Sequence, residues 1–283
     1  MENNTAAPNA FQKMMNSGTQ PAPGQDASGQ KKSGSEMDAS DGIRATLRLG
    51  DSTLVVGEAR SVEVVALFEA MRIGAGANVV AGTFHADSAY GVYDRCVNAL
   101  GIPNTSFKAL DICIIANPIK SADGLHKWRR VTQITEIRKN WQKDPLLEGG
   151  FVDLMKYNAK TDMLEPTPEL INGDSEVLKS IAGNIPDFSG DWDSVWNNIL
   201  LRTKLKEYQV KRSVEEKDAD MLEAEFSILC NDFFHKISAK VKEDTGKMDN
   251  DEIFRRWLDW FEYQVKLRKI KRKEEEKEKE NND

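Results

Sequence analysis

Two polar side chains stand at the ends of short apolar runs, where they could do chemistry. Glu58 closes Leu54-Val55-Val56-Gly57-Glu58, and His85 closes Val79-Val80-Ala81-Gly82-Thr83-Phe84-His85. A buried strand is a stiff support, so an acid at its tip holds its position, and an imidazole at the tip of a neighbouring strand can meet the same ligand. A carboxylate so placed suits polarising an attacking water in a nucleotide hydrolase. The two runs alone leave a plainer alternative open: a solvated strand-end acid and an imidazole that caps a loop.

The elements that must position them follow from hydrophobic periodicity. Residues 54–57 read as a first buried strand. The next segment puts Val64, Val65, Phe68 and Met71 on one helical face and stops at Gly74 and Gly76. Residues 78–84 read as a second strand and 88–100 as a second helix ended by Gly101 and Pro103. The apolar run 110–116 reads as a third strand closing the unit. Strand, helix, strand, helix, strand with nearly continuous apolar strands predicts an α/β unit. Its sheet is parallel, with right-handed crossovers and cover on both faces, and ligands gather at the carboxyl ends of its strands.

After Pro118 the periodicity weakens. Trp128, Val131, Ile134 and Ile137 recur every third residue, but the β-branched content of 127–139 favours a strand. A further strand is predicted at 151–157 with a turn at 158–162. Beyond Asp174 the pattern is helical. Trp192, Val195, Trp196, Ile199 and Leu200 share one face, Leu222 to Val241 a second, and Phe254, Trp257, Leu258, Phe261 and Val265 a third, with Asp249 and Glu252 spaced as a capping box. The tryptophans at 192, 196, 257 and 260 lie at helical spacing and read as packing residues.

The composition bounds the partners. Of 283 residues, 39 are basic and 46 acidic, and the net charge of -7 argues against a protein that coats nucleic acid. Cys96, Cys113 and Cys230 form no CxxC pair and read as reduced small hydrophobes. No run approaches the ~18 apolar residues of a spanning helix, and the start lacks a signal-peptide pattern. The expectation is a soluble, cytoplasmic protein that meets a membrane only through a partner. Residues 1–35, rich in Asn, Gln, Ser, Gly, Ala and Pro, predict a disordered leader.

From residue 34 to 118 the order of motifs resembles the motor ATPases of type II/type IV secretion, within them the archaeal branch of pili and archaella. The segment Leu-Val-Val-Gly-Glu-Ala-Arg (54–60) is similar to the Walker B segment, and Gly-Thr-Phe-His-Ala-Asp-Ser-Ala (82–89) to the histidine box. Ser-Phe-Lys-Ala-Leu-Asp (106–111) leads into the next core strand. The resemblance continues less specifically to about residue 265. It implies a partial RecA-like P-loop NTPase core over 36–172 with a small β element, a C-terminal helical domain over 173–265 and a charged tail over 266–283. It also implies that Glu58 polarises the attacking water and helps organise magnesium indirectly, and that His85 contacts the γ-phosphate side. Arg48, Arg60, Gly57 and Gly82 match binding positions. For Arg48 and Arg60, pairing with nearby surface acids is the alternative.

The family's phosphate loop, G-x-x-x-x-G-K-[ST], does not occur in these 283 residues. Gly24 to Ser33 and Gly246-Lys247 approach it but break its spacing. The resemblance therefore implies the C-terminal part of a motor, inactive alone, taking ATP and magnesium only when such a loop comes from upstream sequence or another chain. It implies a hexameric ring of like subunits, or a complex with an intact homologue, working on an inner-membrane platform protein. The alternative is a non-catalytic ring or docking subunit. The tail carries Lys266, Arg268, Lys269, Lys271, Arg272 and Lys273. It reads as a solvated extension, with contact to the platform or to lipid headgroups as the functional alternative.

Overall fold

The computed structural model describes residues 39–46, 53–73, 79–121 and 123–282. The chain divides into two compact units at Lys179/Ser180. Arg48, the leader, Gly74, Gly76 and the near-miss loop at 24–33 lie outside the described residues.

The first unit opens with α1 (Ala39–Thr46), β1 (Thr53–Val56), α2 (Val62–Ile73) and β2 (Val79–Gly82). β1 and β2 pair in parallel, from Thr53 opposite Val79 to Val56 opposite Gly82, so both strands end at the same edge. Alternate side chains of a strand point to opposite faces. Leu54, Val56 and Val80 pack with Ile43 of α1 and with Ala66 and Ala70 of α2, whose small side chains let the helix lie close. On the other face Val55 is 67% and Val79 63% exposed. Among the described residues the parallel pair is therefore covered on one face, not on both as expected.

The run expected to close the parallel sheet belongs to a different one. Ile112–Lys120 (β3) pairs antiparallel with Lys127–Ile137 (β4), which is followed by Phe151–Asn158 (β5) and Met163–Pro166 (β6) in a four-stranded antiparallel sheet of order β3-β4-β5-β6. The physical reason is the short connection. A tight turn supports antiparallel pairing, whereas a parallel crossover needs a dozen residues or more. The turn is closed by Asp123, which accepts hydrogen bonds from the Leu125 amide at 2.9 Å and from the Ser121 hydroxyl, with Gly124 at φ +72°. Cys113 and Ile115 point into the core while Ile114 and Ala116 face out, the alternation of a half-buried strand.

The strand expected at 127–139 is present, and its three-residue rhythm has a structural cause. The register shifts between Ile115 and Ala116 leave Thr132 as an extra residue in β4, and between Ile134 and Thr135 they leave Leu154 extra in β5. The bulge at Thr132 resets which side chains of β4 face inward, and the one at Leu154 does the same for β5. Between the two β-systems, Ser88 caps α3 (Ala89–Tyr93) by accepting from the Gly91 amide at 3.0 Å. The helix continues as a π-helical segment, Asp94–Ala99, before α4 (Asn104–Phe107). Tyr93, Phe107 and Trp141 meet edge to face in the centre of this core. After β6 come α5 (Pro168–Ile171) and α6 (Glu176–Gly183).

The second unit is built on α7 (Trp192–Glu216), a 3-10 turn (Ala219–Leu222), α8 (Ala224–Thr245) and α9 (Asn250–Asn282). Leu201, Leu205, Phe226, Phe234, Trp257 and Phe261 are among its buried core. Trp257 stacks on Phe261 at 4.7 Å and donates to the Cys230 carbonyl at 3.2 Å, and Trp260 stacks on Phe233 at 4.1 Å, so these two tryptophans pack as expected. Half of the expected capping box is present: Asp249 accepts from the Glu252 amide at 3.1 Å, while the Glu252 carboxylate is held by Arg255 and Arg256 instead. The tail is helical, as part of α9. Three of its cations are engaged at the C-terminal end of α7: Arg268 grips Asp218 at 2.9 and 3.0 Å, Lys269 meets Glu216 at 2.6 Å, and Arg272 lies 3.5 Å from Asp218. Acids at a helix C-terminus oppose its dipole, and these cations offset that.

Candidate functional site

The parallel register brings the two strand-end groups together. Beyond the last pair, Val56 with Gly82, the Thr83 amide donates to the Val56 carbonyl at 3.2 Å and the Ala59 amide to the Thr83 carbonyl at 3.1 Å. The Thr83 hydroxyl donates to the Gly57 carbonyl. These bonds carry the pairing past the strand ends, so Glu58 and His85 leave the sheet side by side. Glu58 Oε1 lies 2.8 Å from His85 Nε2, and Arg60 donates to Glu58 Oε2 at 2.7 Å. Both carboxylate oxygens are engaged.

The surroundings are open: His85 and Arg60 are 77% and 72% exposed at their side chains, Glu58 38%. The Arg60 guanidinium holds the Glu58 carboxyl below the usual carboxylate range; partial burial opposes it, and the His85 bond adds a smaller lowering. Glu58 in turn raises Arg60. The carboxylate is thus ionised at neutral pH.

Of the residues predicted for the site, Glu58, His85 and Arg60 meet. Gly82 serves packing: a Cβ there would come within 2.8 Å of Leu67 Cδ2 in α2, whereas one at Gly57 would meet nothing within 4 Å. Gly246, at φ +76°, ends α8, and Lys247 follows it in that turn, so this near-miss pattern does the work of a helix stop.

Two residues escaped the sequence reading. Arg95 donates to the His85 carbonyl and lies over the Phe84 ring at 4.9 Å, fixing the backbone that carries the imidazole. Asn117 of β3 donates to the Asp87 carbonyl at 3.1 Å and to Thr132 at 3.1 Å, tying the same loop to the antiparallel sheet. Both act through folded contacts that no local spacing encodes. The cysteines are buried, and burial pushes the thiols of Cys96, Cys113 and Cys230 up to about 12, as inert small hydrophobes require.

The span holding this geometry matches a known family. Residues 24–133 fit the family model described as Type II/IV secretion system protein. The match includes both strand ends and the Arg60 position. The chain is also similar to an uncharacterized protein of Methanocaldococcus jannaschii, 28% identical over 151 residues, which cover 52% of this chain and 50% of the relative. The chain spans about half the length of the curated relative it matches.

The chemistry of the donor set separates two ligands. A phosphate oxygen suits the exposed His85 and Arg60. Magnesium finds less to hold it: Glu58 is a single carboxylate whose oxygens contact Arg60 and His85, and among the described residues no group of three or more His, Cys, Asp or Glu side chains could hold a metal. No helix among the described residues is long and apolar enough to cross a membrane.

Proposed function

We propose that this chain is a portion of a secretion or pilus-assembly motor ATPase, of the archaeal branch, that couples ATP hydrolysis to protein export or filament assembly. The observation that supports it best is the 2.8 Å contact of Glu58 with His85 at the common edge of two parallel strands, inside the span matched by the secretion-family model. In this reading Glu58 orients the attacking water and His85 contacts the γ-phosphate side. Arg60 balances the carboxylate when no phosphate is near. The phosphate loop that would clamp the transferring group comes from sequence beyond these 283 residues or from another chain. The working assembly is a hexameric ring, or a complex with an intact homologue, acting on an inner-membrane platform protein from the cytoplasmic side.

The test is ATP turnover by the chain alone and by the chain combined with a phosphate-loop-bearing segment from its own locus. The isolated chain is expected at background, and the combination is expected to hydrolyse ATP in a way that Glu58→Gln abolishes. Turnover by the chain alone at the rate of a complete motor, or turnover in the combination that Glu58→Gln leaves intact, overturns the proposal.

A further inference from the structure

The β3–β4 hairpin reaches out past its sheet. β5 pairs with β4 only over Gln133 to Ile137, so Ala116–Lys120 and their partners Lys127–Val131 project as two strands. An isolated two-stranded ribbon is marginal in water, and this one is braced at its root. Arg130 holds Asp162 through two bonds of 2.9 and 2.7 Å, Tyr157 donates to the same carboxylate at 2.8 Å, and Asn117 ties β3 to Thr132.

The outer part of this braced arm has an unusual composition. Leu125 at the tip is 80% exposed, and Trp128, opposite Ile119, is 42% exposed. Lys120 stands directly opposite Lys127, and Arg129 follows two residues on. Like charges placed directly across an antiparallel pair destabilise it. Among the described residues none of these three cations has an ion pair, whereas Arg130, one position further in, is matched by Asp162. The one acid of the tip, Asp123, is committed to the turn.

We propose that this arm is a peripheral anchor for an anionic bilayer surface, with Leu125 and Trp128 entering the interface and Lys120, Lys127 and Arg129 meeting lipid phosphates. Anionic headgroups relieve the Lys120–Lys127 repulsion. Trp128 faces the side of the ribbon opposite Lys127 and Arg129, so an arm entering tip-first sets the aromatic ring and the cations at the same depth, the combination that the bilayer interface favours. A convex tip can enter a fluid surface without a preformed pocket, whereas a protein partner would have to supply an acidic groove shaped to it. The tail is the weaker candidate, because Arg268, Lys269 and Arg272 are already bound by Asp218 and Glu216. The inference needs no nucleotide and stands apart from the reading of Glu58 and His85.

The experiment is co-sedimentation of the full chain with vesicles of phosphatidylcholine alone and of equal parts phosphatidylcholine and phosphatidylglycerol. Binding is expected to the anionic vesicles only and to fall with salt. The paired reversal Lys120→Glu/Lys127→Glu is expected to weaken it at least about tenfold, and Leu125→Asp on the order of tenfold. Because Leu125 is exposed, the second variant should keep its circular dichroism and melting temperature, which separates lost binding from lost folding. Absence of binding to anionic vesicles overturns the proposal, as does binding that both variants leave unchanged. A change in sedimentation coefficient with these variants, without a change in lipid binding, also overturns it and assigns the arm to contact between protein chains.

Discussion

Replacing Glu136 by alanine probes how the antiparallel sheet holds the start of α6. Glu136 is 1% exposed. It accepts from the Ser175 hydroxyl at 2.5 Å, from the Glu176 amide at 2.9 Å and from the Val177 amide at 3.4 Å, with Arg138 Nε 3.3 Å away. The carboxylate thus satisfies free amides at a helix N-terminus, where negative charge is favoured. Removing one side of a fully buried ion pair costs roughly 3–5 kcal/mol. Arg138 would keep Glu176 at 2.9 Å and the Asp174 carbonyl, so its charge is not orphaned. Ser175 would still cap Leu178 at 3.1 Å. Those retained contacts place Glu136→Ala at the lower edge, about 3 kcal/mol, and Glu136→Gln, which keeps the shape and one acceptor oxygen, at about half of that. Calorimetric unfolding should show a melting temperature lower by roughly 6–12 °C for the alanine variant. An alanine variant melting within about 2 °C of the parent would refute the assignment of Glu136 as a buried helix cap.

Two further predictions concern the strand ends. Arg60→Ala should move the Glu58 titration, followed by side-chain carboxyl NMR, upward toward 4.5, because the guanidinium is the largest influence holding it down. A group whose folded value is depressed contributes stability above its unfolded value and loses it as pH falls through the folded one. The wild-type contribution of Glu58 should therefore fade only below pH 4.5, and an unshifted titration in the variant would remove Arg60 as the cause. Gly82→Ala should destabilise by about 1–3 kcal/mol through the Leu67 clash, while Gly57→Ala, which meets nothing, should stay within about 0.5 kcal/mol in denaturant melts; equal effects would contradict the packing.

Much of the local structure was legible because burial and periodicity agree in it. The runs ending at Glu58 and His85, the face of α2, and the helices of the second unit carry their period openly. The third strand was misassigned for a physical reason. Leu110 to Ala116 is apolar at nearly every position, and such a run suits a strand buried on both faces, yet Ile114 is 63% exposed. Its partner is set by the Ser121 to His126 turn, whose decisive contacts are a side chain and a glycine conformation rather than a pattern. The bulge at Thr132 then blurred the strand it belongs to. In the site, Glu58 and His85 were legible as types at strand ends, and Arg60 only through the resemblance. The grip of Arg95 and Asn117 on their loop was not, since it joins residues far apart along the chain.

The closed state of Glu58 bears on how such a site could work. With Arg60 on one oxygen and His85 at the other, the carboxylate has little to offer a water molecule as it stands. Both partners are exposed and both attract anions, so a phosphate group arriving at the strand ends would compete with Glu58 for them. In the proposed function, a phosphate oxygen that takes either partner would free a carboxylate oxygen beside itself, where the attacking water would be oriented. Exposed ion pairs in water hold by small margins, so a multiply charged phosphate can displace them. On this reasoning the contacts that quiet the acid are also what make its release depend on ligand. Arg95 and Asn117 hold the His85 loop at its backbone, so in this reading the imidazole would change partners on a fixed support.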